Sequence, residues 1–155
     1  MVVSHGNIGI NINSSILCNS LVNLGYGYRK TYSELKFSNK IPHFLIRHLI
    51  RGFFDGDGSF SYSRVFDKTR QKYYLKQNIS ICSKTKSFLT DIQHFLSDFN
   101  IVSNILFLKR DNMYRISTSS KKDIEKIFHL FYDDSNFYLS RKFEKFNHHV
   151  NTEVT

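Results

Sequence analysis

The sequence predicts an α+β domain in which helices alternate with β-hairpins, in the order αββαββα. Three observations predict it. Two pairs of stretches alternate apolar and polar residues, each pair joined by a polar turn. Other stretches repeat apolar residues at helical spacing. The two kinds take turns along a chain of 155 residues, a length that suits one compact domain.

Residues 8–13 alternate and read as a short strand. Ser14 or Ser15 then caps a helix carrying Ile16, Leu17, Leu21, Val22 and Leu24. Gly25 stops it as a left-handed cap, and residues 26–40 connect onward. Pro42 suits the first turn of the next helix, where Ile46, Leu49, Ile50 and Phe53 share a face. The run Asp55-Gly56-Asp57-Gly58 ends it.

Residues 59–66 alternate as a half-buried strand, and Asp67 to Gln71 form a loop. In the returning strand Tyr73, Leu75, Ile79 and Ile81 point one way, and Tyr74, Lys76, Asn78 and Ser80 the other. Phe88, Leu89, Ile92, Phe95, Leu96 and Phe99 make the stripe of an amphipathic helix. Residues 101–108 and 113–119 form a second hairpin, turning at Asp111-Asn112. Ser120 with Asp123 resembles a capping box before Ile124, Ile127, Phe128 and Phe131. The basic, aromatic tail from Phe137 to His149 ends in a short helix.

A faint internal repeat runs through this order. Residues 10–37 and residues 116–146 each read strand, Ser-Ser, helix, then an aromatic-basic segment. Residues 1–40 therefore resemble the tail of a preceding repeat, residues 41–149 a complete copy, and residues 150–155 a flexible tail.

Composition narrows the function. Lys and Arg exceed Asp and Glu by 22 to 13, leaving a net charge of +9. A folded basic domain is a candidate partner of nucleic acid or of an acidic membrane. No basic amphipathic helix or lipidation signal supports the membrane. No apolar stretch approaches the ~20 residues that span a bilayer. Met1 to His5 do not begin a signal peptide, so an intracellular place, cytoplasm or organelle matrix, is expected. Cys18 and Cys82 form no CxxC pair and read as buried, reduced thiols. The seven His complete no zinc spacing with Cys or carboxylate.

The chemistry concentrates in Ile50-Arg51-Gly52-Phe53-Phe54-Asp55-Gly56-Asp57-Gly58. Gly52 and Gly56 are four apart, so they share a helix face on which a second helix can approach closely. Two such helices side by side bring two copies of Asp57 together at their C-terminal ends. A carboxylate there is disfavoured by the helix dipole, and two together are worse. A divalent cation relieves both conflicts. An EF-hand loop does not fit, because Ser59, Ser61 and Ser63 hold places that need acidic ligands.

This segment resembles the nine-residue motif that names the LAGLIDADG homing-endonuclease family. Gly52, Asp55, Asp57 and Gly58 match in identity, and Ile50, Phe53 and Phe54 in apolar character. Gly56 replaces another small residue, and Arg51 is the one departure. The resemblance implies a homing-endonuclease fold, with a saddle-shaped antiparallel sheet in the DNA major groove and helices on its other face. It implies site-specific double-strand cleavage with Mg2+, bound by Asp57 and Gly56, and an origin in a mobile genetic element. The partner is double-stranded DNA, with no small-molecule substrate and no membrane.

Ser59, Ser61, Ser63, Tyr74, Lys76, Asn78, Ser80, Arg115, Ser117 and Ser119 would form the DNA-facing side. Lys68, Arg70, Lys72, Lys109 and Arg110 at the hairpin tips suit phosphate. Two auxiliary catalytic places match Ser83, which would hold water, and Lys142 or its neighbour Arg141, which would stabilise phosphate charge. One motif makes half a site, so the chain would homodimerise, pair with a second LAGLIDADG half or be a fragment of a two-motif protein. The alternatives are a non-cleaving DNA- or RNA-binding protein of the maturase or regulator kind, or a decayed remnant.

Overall fold

Pro42 fixes an extended backbone just before helix α2, His43–Asp57, most of whose apolar positions then fall on one face, Phe44 excepted. Ile50 and Phe54 on that face have no exposed surface. The helix runs through the Asp-Gly-Asp run, and Gly58 is its cap. A computed structural model describes residues 2–4, 7–9, 12–24, 26 and 36–151 of the chain.

From α2 the described order is strand β3, Ser59–Asp67, strand β4, Lys72–Ser83, and helix α3, Lys86–Ser97. Strands β5, Asn104–Leu108, and β6, Met113–Thr118, follow, then helices α4, Lys121–Tyr132, and α5, Ser140–Asn151. The four strands form one antiparallel sheet in the order β3-β4-β6-β5. Gln71 and Asn112 take positive φ, at 52° and 47°, to close the two hairpin turns. These elements realise the α+β order expected.

One sheet face builds the core. Phe60, Ile79, Ile81 and Ile116 are buried on it, beneath Phe88, Leu89 and Ile92 of α3 and Ile124 and Ile127 of α4. Phe146 of α5 closes this layer, stacked on Phe60 at 4.6 Å between ring centroids. The outer half of the first hairpin projects beyond the helices, so Tyr73 and Leu75 share the core face yet are 59% and 52% exposed.

Several elements differ in detail from the sequence reading. The second hairpin is shorter at both ends, and Ser119 falls outside β6. Ser120 accepts from the Asp123 amide at 3.4 Å, but the capping box is only half formed. The Asp123 carboxylate instead accepts from the Val102 amide at 3.4 Å. Phe99 lies beyond α3 and is 40% exposed.

The N-terminal part holds a two-stranded antiparallel hairpin, β1, Val2–Ser4, with β2, Asn7–Gly9. Helix α1, Ser15–Asn23, follows, and the Ser14 hydroxyl caps it by accepting from the Leu17 amide at 3.2 Å. The expected strand over 8–13 is represented only by β2; residues 12 and 13 are not strand, and 10 and 11 lie outside the described residues. So do Gly25, residues 27–35 of the connecting segment and residues 152–155. None of the apolar positions of α1 is buried, and Ile16 is 80% exposed. Cys18 and Cys82 are free but half-buried rather than buried.

Candidate functional site

The outer face of the sheet follows from strand register. Ser59, Ser61 and Ser63 of β3 stand opposite Ser80, Asn78 and Lys76 of β4. Ser80 and Cys82 stand opposite Ser117 and Arg115 of β6. Tyr74 and Lys72 continue the same side towards the first turn. Nine of the ten sequence-predicted strand residues therefore lie on one face, turned away from the core, while Ser119 lies beyond β6. Asn104 and Leu106 of β5, opposite Ser117 and Arg115, join them. The sequence reading missed these two, although their alternation with the partly buried Ile105 carries the signal.

Basic side chains rim this face. Lys68 and Arg70 occupy the turn before Lys72, while Lys109 and Arg110 occupy the turn between β5 and β6, and all five are exposed. Arg70 lies 3.8 Å from Asp67 and Arg110 3.3 Å from Asp111. Exposed pairs of this kind hold the cations only weakly.

The motif helix splits its residues among three environments. Gly52 and Gly56 are exposed, and a Cβ added to either would meet nothing within 4 Å among the described residues. Arg51, the departure from the motif, turns the other way and is buried. Its Nη1 lies 2.9 Å from His48 Nδ1 and donates to the Phe131 carbonyl of α4 at 3.1 Å. It thus satisfies a carbonyl at the end of α4 and leaves the glycine face clear. Burial and the neighbouring Arg51 and Arg47 hold His48 below its usual pKa.

Asp55 points into the protein. It accepts from the Tyr132 hydroxyl at 3.0 Å and from the Leu139 amide at 3.0 Å. Burial first, then the Asp55 charge, pushes the Tyr132 phenol far above its usual pKa. Asp57, two residues on, is exposed, and its carboxylate takes no hydrogen bond or ion pair among the described residues. Gly58 is required by close approach, because a Cβ there would stand 2.2 Å from the Phe54 ring and 2.6 Å from the Phe54 carbonyl.

Lys142 of α5 reaches this helix end. Its Nζ donates to the Phe54 and Gly58 carbonyls and lies 3.5 Å from the Gly56 carbonyl. An ammonium there offsets the negative end of the helix dipole. Burial lowers its pKa, Asp55 and Asp57 act to raise it, and Arg141 acts to lower it. Lys142 rather than the exposed Arg141 is the basic residue at the motif, with its hydrogens directed to backbone carbonyls. Ser83 accepts from the Thr85 amide at 3.1 Å, shaping the turn into α3 and leaving its own hydrogen available.

These donors suit half of a magnesium site. One free carboxylate and one main-chain carbonyl are hard oxygen ligands, far short of the six that magnesium takes. Among the described residues no group of three or more His, Cys, Asp or Glu could hold a metal ion. His43 is engaged with Asp98 at 3.3 Å. No described helix is long and apolar enough to cross a membrane.

A family described as LAGLIDADG-like domain matches residues 44–131, more than half of the chain. No curated protein matches significantly. Among solved structures, the homing endonuclease I-CvuI, in complex with the I-CreI target and magnesium and with its DNA not cleaved, superposes with a TM-score of 0.57 at 18% identity. That match covers 70% of this chain and 65% of the other. The archaeal intron-encoded homing endonuclease I-Vdi141I, complexed with DNA, gives 0.58 at 23% identity over 69% of this chain and 67% of its own. The I-LtrWI LAGLIDADG homing endonuclease, bound to target DNA, gives 0.58 at 20% identity over 70% of this chain but 37% of its own. The matched region thus spans about two thirds of the first two proteins and little over a third of the last. At these identities the likeness is one of fold.

Proposed function

The chain belongs to the LAGLIDADG-like domain family, and on that premise we propose that it forms half of a site-specific, metal-dependent endonuclease acting on double-stranded DNA. The observation that carries this reading is the Asp57 carboxylate, unpaired among the described residues, two residues before the polar, basic-rimmed sheet face begins at Ser59. Lys and Arg at the hairpin tips neutralise phosphates, and Lys76, Asn78 and Arg115 meet base edges. The Gly52–Gly56 face packs on a second motif helix and brings a second Asp57-type carboxylate alongside. That pair, with the Gly56 carbonyl, would hold a magnesium ion, which would supply Lewis-acid polarisation of a phosphate and a lowered pKa for an attacking water. Lys142 holds the helix end that carries Asp57, and the free hydrogen of Ser83 orients water. A mobile intron, intein or free-standing gene is the proposed source, acting on DNA in the cytoplasm or an organelle matrix.

Asp57→Asn tests the assignment. Asn keeps the size but not the charge, so cleavage of a duplex selected for binding should fall by orders of magnitude. Binding should persist or tighten, since a charge that repels phosphate is gone. Equal cleavage by parent and variant would remove Asp57 from the mechanism.

Helix α1 favours a second reading, in which the domain works only beside a preceding LAGLIDADG half. A hairpin followed by a Ser-capped helix occurs at β1-β2-α1 and again at β5-β6-α4. The face of α4 is buried, while Leu17, Leu21 and Val22 of α1 are 43%, 42% and 45% exposed. Residues 1–40 are then the end of that earlier half, and residues 41–149 the second. Binding without cleavage, by the chain alone and with its partner half, would instead indicate a maturase-like or regulatory protein.

A further inference from the structure

The two hairpins present different chemistry on the outer face. On the first, Ser59, Ser61 and Ser63 stand opposite Ser80, Asn78 and Lys76. On the second, Leu106 stands opposite Arg115, which stands opposite Cys82, and Leu108 stands opposite Met113. Beyond Asn104 and Ser117 at its base, the second hairpin is apolar here except for Arg115. The core does not require these side chains, because the helices cover the other face. Leu106 is 52% exposed, a cost to a protein that leaves it in water. Arg115 Nε is shielded without an acceptor among the described residues.

We propose that the second hairpin is a thymine reader, in which Leu106, Leu108 and Met113 contact the C5-methyl groups of thymines in the major groove. This rests on the DNA-binding reading above. The occupant is set by charge as well as by shape: Lys109 and Arg110 border the apolar patch at its turn, where a phosphate backbone passes beside a groove. Within that groove the thymine methyl is the apolar feature that distinguishes one base pair from the others. Arg115 lies among the apolar side chains and addresses a guanine edge between the methyls. The polar first hairpin reads hydrogen-bonding edges, so the half-site divides into a thymine-rich part and a mixed part.

The test uses the full chain and a duplex selected by it from a randomised library. The same duplex is then made with deoxyuridine in place of every thymidine, which removes the methyl groups and leaves the base-pairing edges. Filter binding should show a loss of roughly fourfold for each contacted methyl, the worth of one buried carbon. Leu106→Ala and Met113→Ala should narrow that ratio, and urea denaturation should show both variants as stable as the parent. Equal affinity of the parent for both duplexes would overturn the proposal while leaving DNA binding intact. An undiminished ratio in the variants would overturn the assignment to this hairpin. Failure to select any duplex would overturn the DNA reading itself, and the proposal with it.

Discussion

Asp55 and Asp57 carry the same charge two residues apart, yet the fold uses them for different purposes. Asp55 ties α2 to the end of α4 and the start of α5 through Tyr132 and Leu139. Asp57 sits at the helix C-terminus with no hydrogen-bond or ion-pair partner among the described residues, where the dipole disfavours a carboxylate by about 0.3–1 kcal/mol. Asp55→Ala strands a buried hydroxyl and an amide, so it should cost about 1–3 kcal/mol in urea denaturation. Asp57→Asn should leave stability unchanged or slightly higher. If the two variants lose stability equally, the division of labour is wrong. Lys142 links the pair, since it caps the helix end that both share.

At the scale of the helix, Gly52 and Gly56 pose an energetic question. Each costs roughly 1 kcal/mol relative to Ala in a helix interior. Nothing among the described residues stands close enough to require them. Gly52→Ala should therefore stabilise the isolated chain, while Gly52→Leu should block packing against a second motif helix and abolish cleavage with it. Sedimentation with and without target DNA decides this. A parent that stays a monomer in both conditions does not pair with itself through this helix.

The hairpins were legible in the sequence because their alternation separates a buried face from a wetted one, and register preserved that separation across all four strands. Helix α1 was legible as a helix but not as an uncovered one, because apolar spacing records a face and not what lies on it. At the motif, the helix spacing pointed to Asp57, and the resemblance to the family pointed to Lys142 or its neighbour Arg141. Neither could foretell that Arg51 would face α4 or that Lys142 would spend its hydrogens on carbonyls, since both depend on how helices distant in sequence cross.

For the molecule as a whole, the net charge of +9 should appear as a steep dependence of DNA affinity on salt. If Lys68, Arg70, Lys72, Lys109 and Arg110 each neutralise one phosphate, log affinity should fall against log salt with a slope of about −4.5 per chain. A flat titration would argue against any duplex partner. The sheet has a further consequence for the history of such a protein. Its helix-covered face carries nearly all the packing that the strands contribute, whereas the outer face carries almost none. Surface substitutions away from packed features typically change stability by no more than about 0.5 kcal/mol. The residues proposed to choose a target can therefore drift without unfolding their carrier. A lineage that loses its original site can acquire another by small steps, each tolerated by the fold before it is useful to the gene.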